Sequence, residues 1–293
     1  MSALADLVRK ALKAMARAMF FLWRPVRLLR IPLSKAANLV PPGQDFIFTR
    51  YLGGMSVLID HRIFIETQVT HGGYELAIVR KIEASLRHGD RCIDVGANVG
   101  LLTLPMARAV GSMGEVWAVE PGRGLCKRLQ KNLDLNPRLR DRVTVYNVGL
   151  SDRRGWMRWI ECANQPGNAT LEEMTQQDTN EGAVAVEMLD NLVDRERVDF
   201  IKIDVEGMEL AVLRGAKDTL TRCRPLIVFE TLQEFRFRKE VDTFRGIADL
   251  LESMQYRFAC LDSDNRLVER GPDAWRHMTW AFNDAHLQRI NLI

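Results

Sequence analysis

Asp94, Glu120 and Asp204 each lie at the C-terminal end of a short apolar run, with turn-forming residues within three positions. Acids placed at strand ends in this way can meet a ligand, and the first carries the most specific pattern. Cys92, Ile93 and Val95 read as a buried strand around Asp94. The chain then breaks at Gly96, Asn98 and Gly100, and a helical pattern starts at Leu101. A parallel strand, a tight glycine turn and a helix N-terminus, in that order, place a nucleotide-like ligand in the crevice of an open α/β sheet. Gly96 would let the backbone approach such a ligand more closely than any Cβ permits.

The spacing separates two kinds of ligand. A dinucleotide fingerprint needs G-x-G-x-x-G, with the pyrophosphate on the helix N-terminus. Here the glycines read Gly96-x-x-x-Gly100 behind an acid, which would repel a pyrophosphate, and no Walker-type Gly-Lys-Ser/Thr occurs. A ligand with a cationic amino group and a sulfonium suits Asp94 instead, and S-adenosylmethionine (AdoMet) has both. Glu120 closes the next strand-like run about twenty residues beyond the turn, where an acid can accept both ribose hydroxyls. On these residues alone a nicotinamide-dependent oxidoreductase is the competing reading. A non-catalytic AdoMet-binding protein recruited to membranes is a second.

The third block runs from Asp199 to Glu209. Phe200, Ile201 and Ile203 suggest a buried strand, interrupted near its C-terminal end by Lys202 and Asp204. Glu206-Gly207 then turns into a helix with Leu210 and Leu213 as apolar positions. Charges in a central parallel strand are costly unless paired or facing a ligand. Lys202 and Asp204 share a side of the strand, so they form either an internal ion pair or part of a site.

Together these motifs resemble the FkbM-type methyltransferases. The stretches concerned are Asp94-Val-Gly-Ala-Asn-Val-Gly100, Val119-Glu-Pro121, Leu133-x-x-Asn136, Leu189-Asp190, Ile201-Lys-Ile-Asp-Val-Glu-Gly207, Leu213-Arg-Gly-Ala216 and Arg224-Pro-Leu-Ile-Val-Phe-Glu230. The likeness runs from about Gly73-Tyr-Glu75 to Glu230. Gly149-Leu-Ser-Asp152 departs slightly, since the family more often has Ala at its first position. The resemblance implies an α/β fold, a Rossmann-like class I methyltransferase sheet with helices on both faces. It also implies AdoMet as cofactor and, most often, O-methylation of a hydroxyl on sugars or polyketide-like natural products.

Donor contacts are then expected from Asp94, Gly96, Asn98, Gly100, Glu120, Ser151 and Asp152. Methyl transfer chiefly requires a nucleophile aligned with a carbon already activated by sulfur, plus a base for the hydroxyl proton. Asp204 is expected nearest the methyl group as base or substrate clamp, with Glu206 beside it and Glu230 past the next strand. Lys202 would hold these carboxylates ionised or steady a developing alkoxide. The same acids have the donor chemistry for Mg²⁺; the reading adopted is metal-independent.

The elements that must position these residues follow from pattern. Gly73 through Leu86 reads as a helix leading into the first core strand. A helix around Leu125–Leu135 and a strand at residues 143–148 follow Glu120, and the end of that strand, at residues 149–152, should meet the adenine. Residues 155–188 read as a hairpin with a long polar loop at 164–180, a lid or specificity element. Strands at 226–229, 258–261 and 279–282 would complete the sheet. Before the core, Pro41-Pro42-Gly43 marks a linker. Residues 46–66 form a small β appendage around Gly53-Gly54, with strands at Phe46-Ile-Phe-Thr, Ser56-Val-Leu-Ile and Ile63-Phe-Ile, framing the acceptor's mouth. The expected division is 1–40, 41–72 and 73–293.

With 47% apolar and 27% charged residues, the composition is that of an ordinary globular protein. Five cysteines without a C-x-x-C pair and five histidines without ligand spacing argue against a disulfide framework or zinc site, and for a reducing, cytoplasmic compartment. Residues 1–40 carry +7 and the remainder −4. Leu4, Leu7, Val8, Leu12, Met15, Met19 and Leu22 recur at helical spacing, with Lys10, Lys13 and Arg17 opposite. No run of about 20 apolar residues is present to span a bilayer. Such a basic amphipathic helix suits peripheral contact through residues 1–30 with an anionic membrane, at an inner surface, or docking on the protein's own core or a homo-oligomeric partner. No aromatic-interleaved groove motif appears, so nucleic acid is not an expected partner. The expected partner is a small-molecule, glycan or lipid acceptor.

Overall fold

A computed structural model describes residues 46–60, 63, 66, 69, 75–161, 169–175, 182–231 and 241–292. The basic segment 1–40, the linker after it and most of the Ile63-Phe-Ile run lie outside these residues. No helix among the described residues is long and apolar enough to cross a membrane.

The first elements are a hairpin, β1 (Phe46–Tyr51) and β2 (Met55–Ile59), and a helix, α1 (Leu76–Ser85). The core then alternates strand and helix, as its hydrophobic pattern requires: β3 (Arg91–Val95), α2 (Thr103–Ala109), β4 (Glu115–Val119), α3 (Arg123–Asp134), the short α4 (Pro137–Arg140) and β5 (Val143–Tyr146). Four strands interrupt this rhythm: β6 (Gly149–Leu150), β7 (Gly155–Glu161), β8 (Ala169–Glu173) and β9 (Ala183–Glu187). The alternation resumes with α5 (Leu189–Val193), β10 (Phe200–Ile203), α6 (Glu209–Arg214), α7 (Lys217–Cys223) and β11 (Leu226–Glu230). It ends with α8 (Val241–Ser253), β12 (Arg257–Leu261), β13 (Leu267–Glu269), β14 (Met278–Phe282) and α9 (Leu287–Ile290).

The main sheet has the order β13-β12-β14-β11-β10-β3-β4-β5. β5, β4, β3, β10 and β11 run parallel, whereas β14 is antiparallel to both β11 and β12. The chain moves outward from β3 through β4 to β5, then returns to the other side of β3 with β10. The order therefore reverses between β3 and β10, which is where open α/β sheets hold their ligands. This is the expected Rossmann-like sheet, widened by the edge strand β13, too short to be seen in the sequence.

Strand residues two apart fall into the same packed layer, as the pleat demands. Cys92, Val116, Ala118, Phe200, Leu226 and Val228 join Leu104, Val110, Leu129 and Leu133 on one face. Ile93, Val95, Val119, Ile201, Ile203 and Phe229 join Val212, Leu220, Ile247 and Leu251 on the other. Burial on both faces explains why these strands read as continuous apolar runs. Asp190, of the Leu189-Asp190 pair, caps α7 from a distance: its carboxylate accepts the N–H groups of Asp218 (3.0 Å) and Thr219 (2.8 Å).

Two expectations change. The strand expected at 143–148 stops at Tyr146, and Gly149–Leu150 pairs with β9 in a separate small sheet of order β6-β9-β7-β8. The polar loop expected at 164–180 contains β8, because Leu171 pairs opposite Trp159 and packs against Gly149. The β1–β2 hairpin is tied to α2, where Arg108 donates to Leu52 O, and to α3 and Asn136 beyond it. Asn132, fully buried, accepts the Leu58 N–H (2.7 Å) and donates to Val99 O (2.7 Å). Asn136 accepts the Ser56 N–H (3.0 Å) and donates to Ser56 O (2.6 Å). Replacing Asn132 by Ala strands a buried N–H and a buried carbonyl. We expect a loss of about 2–4 kcal/mol in urea unfolding, on the usual cost of orphaned groups; a loss below about 0.5 kcal/mol would refute the bridging role.

Candidate active site

The glycine turn owes its shape to backbone packing. Gly96 has φ +74°, and its N–H and that of Ala97 both bond Val119 O, at 3.0 and 3.1 Å. A Cβ on Gly96 would run into the Asp204 carbonyl oxygen. The close approach anticipated toward a ligand is thus used by a neighbouring strand end. Asn98 sits at φ +51°, a conformation its short amide tolerates, with Oδ1 accepting the Val99 N–H at 2.8 Å. Gly100 makes room for Leu129 of α3.

Glu120 stands at the tip of β4, 3% exposed. One carboxylate oxygen accepts the Asn98 N–H (2.9 Å) and the other the Gly122 N–H (2.8 Å). Each oxygen keeps a lone pair, so the group can still receive two hydroxyls. Burial pushes its pKa up to about 7, against the pull of those two N–H groups. Ser151 is buried and its N–H is bonded to Glu187 O (2.9 Å), while its Oγ donates to Asp152 (3.3 Å). Ser151 is thus tied to β9 of the small sheet, with Asp152 beside it.

Lys202 is the centre of the charge network. It is 2% exposed, with Nζ 3.2 Å from Asp94 Oδ1, 3.4 Å from Asp204 Oδ2 and 3.1 Å from Gly96 O, to which it donates. Burial would lower its pKa, but the two carboxylates outweigh that and raise it, so the ammonium stays charged. Asp94 is fully buried, and its Oδ2 accepts the Thr103 hydroxyl at 2.6 Å. A carboxylate in front of the turn was expected to face a ligand's cation. Its charge faces Lys202 instead, because β3 and β10 are adjacent with Asp94 opposite Lys202.

Beyond Lys202 lies a group of acids. Carboxylate oxygens of Asp204, Glu206 and Glu230 come within 4.8 Å of one another. Burial alone would raise Asp204, but the Lys202 ammonium and hydrogen bonds from Glu230 and Lys202 hold it below the usual range. Its side chain is 24% exposed, so it is an ionised carboxylate that a solute can reach. Glu230 moves the opposite way, driven up by burial and then by the Asp204 charge, and remains a carboxylic acid that donates to Asp204. Glu206, at φ +52°, is pushed up to about 7 by burial and then by Asp204.

Three neighbours went unassigned in the sequence. His277 contacts Glu230 Oε1 through Nε2 (2.9 Å) and Glu75 Oε1 through Nδ1 (3.2 Å). Burial lowers its pKa although Asp204 pulls the other way. Glu75 is pushed up to about 7 by burial and then by Asp204. Glu209 is likewise pushed up to about 7 by burial, while accepting the Val205 and Gly207 N–H groups at 3.2 Å each. Only the β11–β14 pairing, with Glu230 opposite Met278, brings His277 here.

The model of the methyltransferase FkbM domain matches residues 94–258, more than half of the chain, and runs from the end of β3 to the start of β12. The chain belongs to the FkbM methyltransferase family. It is 30% identical over 190 residues to the methyltransferase sdnD of Sordaria araneosa, covering 54% of this chain and 73% of that protein. It is 29% identical over 159 residues to the hexuronic acid methyltransferase AglP of Haloferax volcanii, covering 53% and 61%. A crystal structure of methyltransferase FkbM from Methylobacillus flagellatus superposes with a TM-score of 0.47 at 18% identity, over 68% of this chain and 48% of that one.

In this FkbM methyltransferase the Ile201-Lys-Ile-Asp motif encodes the ion-pair network itself. Lys202→Met would leave Asp94 and Asp204 without their cation, at about 3–5 kcal/mol for a broken buried pair. Denaturant unfolding of Lys202→Met and of the double variant with Asp94→Asn checks this. The double variant should regain at least about 1 kcal/mol, and strict additivity would refute the pairing.

Proposed function

We propose that this chain is an AdoMet-dependent O-methyltransferase acting on a hydroxyl of a sugar, glycolipid or natural-product acceptor. The observation that carries the reading is the ionised, reachable Asp204 at the switch point, beside the glycine turn and on the other side of β3 from Glu120. The turn and Glu120 fit a nucleoside with free ribose hydroxyls, since Glu120 retains acceptor capacity on both oxygens. A nicotinamide cofactor is disfavoured by the Gly96-x-x-x-Gly100 spacing, which lacks the G-x-G-x-x-G of a dinucleotide site. The name of the Haloferax relative, which specifies a hexuronic acid, supports a sugar-like acceptor.

When bound, AdoMet supplies a methyl carbon already activated by the positive sulfur. The chain's residues then have two tasks. Alignment of the acceptor oxygen is the larger, since orientation alone accounts for about 7–11 kcal/mol in favourable intramolecular reactions. Asp204 does this by accepting the acceptor's hydroxyl hydrogen, and takes that proton as the oxygen attacks. Lys202 lies too deep to meet an alkoxide, so its part is to keep Asp204 ionised and the turn's carbonyl of Gly96 in place. Glu230, as an acid, is not the base; it stabilises Asp204 by donating to it, and His277 holds Glu230. Glu206, titrating near 7, adds a second acceptor for acceptor hydroxyls. The Asp204, Glu206 and Glu230 oxygens are also a cation's donor set, but the Lys202 ammonium 3.4 Å from Asp204 already supplies positive charge there. No metal role is proposed.

Asp204→Asn should leave AdoMet affinity within about threefold in calorimetry. It should reduce label transfer from AdoMet into glycan, lipid and metabolite extract fractions by about 10²–10⁴-fold, the usual range for a positioned base. Wild-type protein that binds NADH and not AdoMet would sink the reading. Donor binding should also depend on pH. Glu120 accepts two hydroxyls only when ionised, and it titrates near 7. Affinity should therefore weaken as pH falls from 8 to 6, approaching about tenfold per unit below the pKa. Glu120→Gln should bind weakly and lose that slope; a wild-type affinity that is flat over this range would remove Glu120 from the donor site.

A further inference from the structure

We infer that Trp159, on β7 of the small sheet, forms the surface on which the donor's adenine stacks. This rests on the AdoMet reading above and makes the small sheet part of the donor site. Trp159 pairs opposite Leu171 of β8, so the two side chains are neighbours on one face. That face lies on the corner that follows Glu120. A Cβ added to Gly122 would meet Trp159 Cζ2 at 3.0 Å and Cη2 at 3.1 Å, and Glu120 Oε1 at 2.9 Å. Leu171 similarly abuts Gly149, whose absent Cβ would lie 2.7 Å from Cδ1. The benzene edge of the indole therefore sits at the ribose acid, and the Gly122 N–H bond to Glu120 holds that corner rigid.

The base of a nucleoside is attached to the sugar carbon next to the one bearing the 2′-hydroxyl. With both hydroxyls on Glu120, the base must leave the sugar close to this corner. Trp159 is the described aromatic side chain that reaches it. The ring is half-buried, so part of its surface is open to a ligand. Trp117 differs, being buried within the core, and Trp156 is 65% exposed on the opposite face of β7. Gly122 matters for the same reason, because any side chain there would wedge the indole away from Glu120. Stacking of a base on an aromatic ring is worth about 1–3 kcal/mol by alanine substitution, which corresponds to about 5- to 150-fold in affinity.

The test uses the full chain and S-adenosylhomocysteine, measured by calorimetry and tryptophan emission. Trp159→Ala should weaken binding by about tenfold or more. Two apolar replacements that keep the sheet packed then separate stacking from filling: Trp159→Phe should recover most of the affinity and Trp159→Leu should not. Emission quenched by the ligand in wild type should no longer be quenched in Trp159→Phe, although that variant still binds. Equal affinity of the Phe and Leu variants, or quenching that persists in Trp159→Phe, would overturn the inference while leaving the AdoMet reading intact. Wild-type protein that binds no S-adenosylhomocysteine would overturn the AdoMet reading and this inference with it.

Discussion

A buried ammonium between two carboxylates, on adjacent parallel strands, is the constraint on which the rest of the site depends. Lys202 joins Asp94 on β3 to Asp204 at the end of β10, and its third contact is Gly96 O in the turn itself. Removing two ions from water costs several kcal/mol each, so such a group is kept only where geometry and hydrogen bonds repay it. Here Thr103 satisfies the far side of Asp94, and the turn carbonyl takes one proton of the ammonium. The strand order reverses at this same pair of strands. The ion pair thus fixes the glycine turn and Asp204 relative to each other, at the point where the strand order reverses.

Around Lys202 the carboxylates do not share one protonation state, and their differences arise from distance to that cation and from burial. Asp204, in contact with it, is ionised. Glu230, buried and facing the Asp204 charge, holds its proton. Glu75, Glu206 and Glu209 are pushed up to about 7, poised between the two states. Pairs of acids driven apart in this way can divide acid and base roles within one pocket. His277 connects two of them, Glu75 and Glu230, from a segment far away in the chain.

Much of this was legible in the residues because local pattern and chemistry coincide at strand ends. Asp94, Glu120, Lys202, Asp204 and Glu230 all fall where an apolar run stops, and the parallel sheet brings those ends to one edge. What pattern could not supply was partner choice. The sequence left open whether Lys202 and Asp204 form an ion pair or part of a site, and the structure shows the ion pair, with Asp94 as its second carboxylate. Asp94 was expected to face a ligand, but which neighbour lies opposite it depends on β10 lying beside β3, a matter of topology. His277 was invisible for the same reason, since its position follows from β14 running antiparallel to β11. β8 was missed because Thr170-Leu171-Glu172-Glu173 is short and half polar, and its strand character comes from pairing with β7.

The small sheet links the two ends of the cleft, and this gives its odd placement in the chain a physical sense. Trp159 meets Gly122 beside Glu120, whereas Thr170, on the opposite face of the same hairpin, donates to Glu206 O at 2.9 Å. Glu206 occupies a left-handed backbone conformation that a non-glycine residue adopts at a cost of order 1–3 kcal/mol. It is held there by Thr170 on one side and, through Glu209, by the neighbouring Val205 and Gly207 N–H groups on the other. A shift of the β7–β8 hairpin would therefore move the Trp159 wall and release the Glu206 carbonyl together. The strain at Glu206 gives the Thr170 bond a definite task, which is to hold in place a backbone conformation that a non-glycine residue adopts only at a cost.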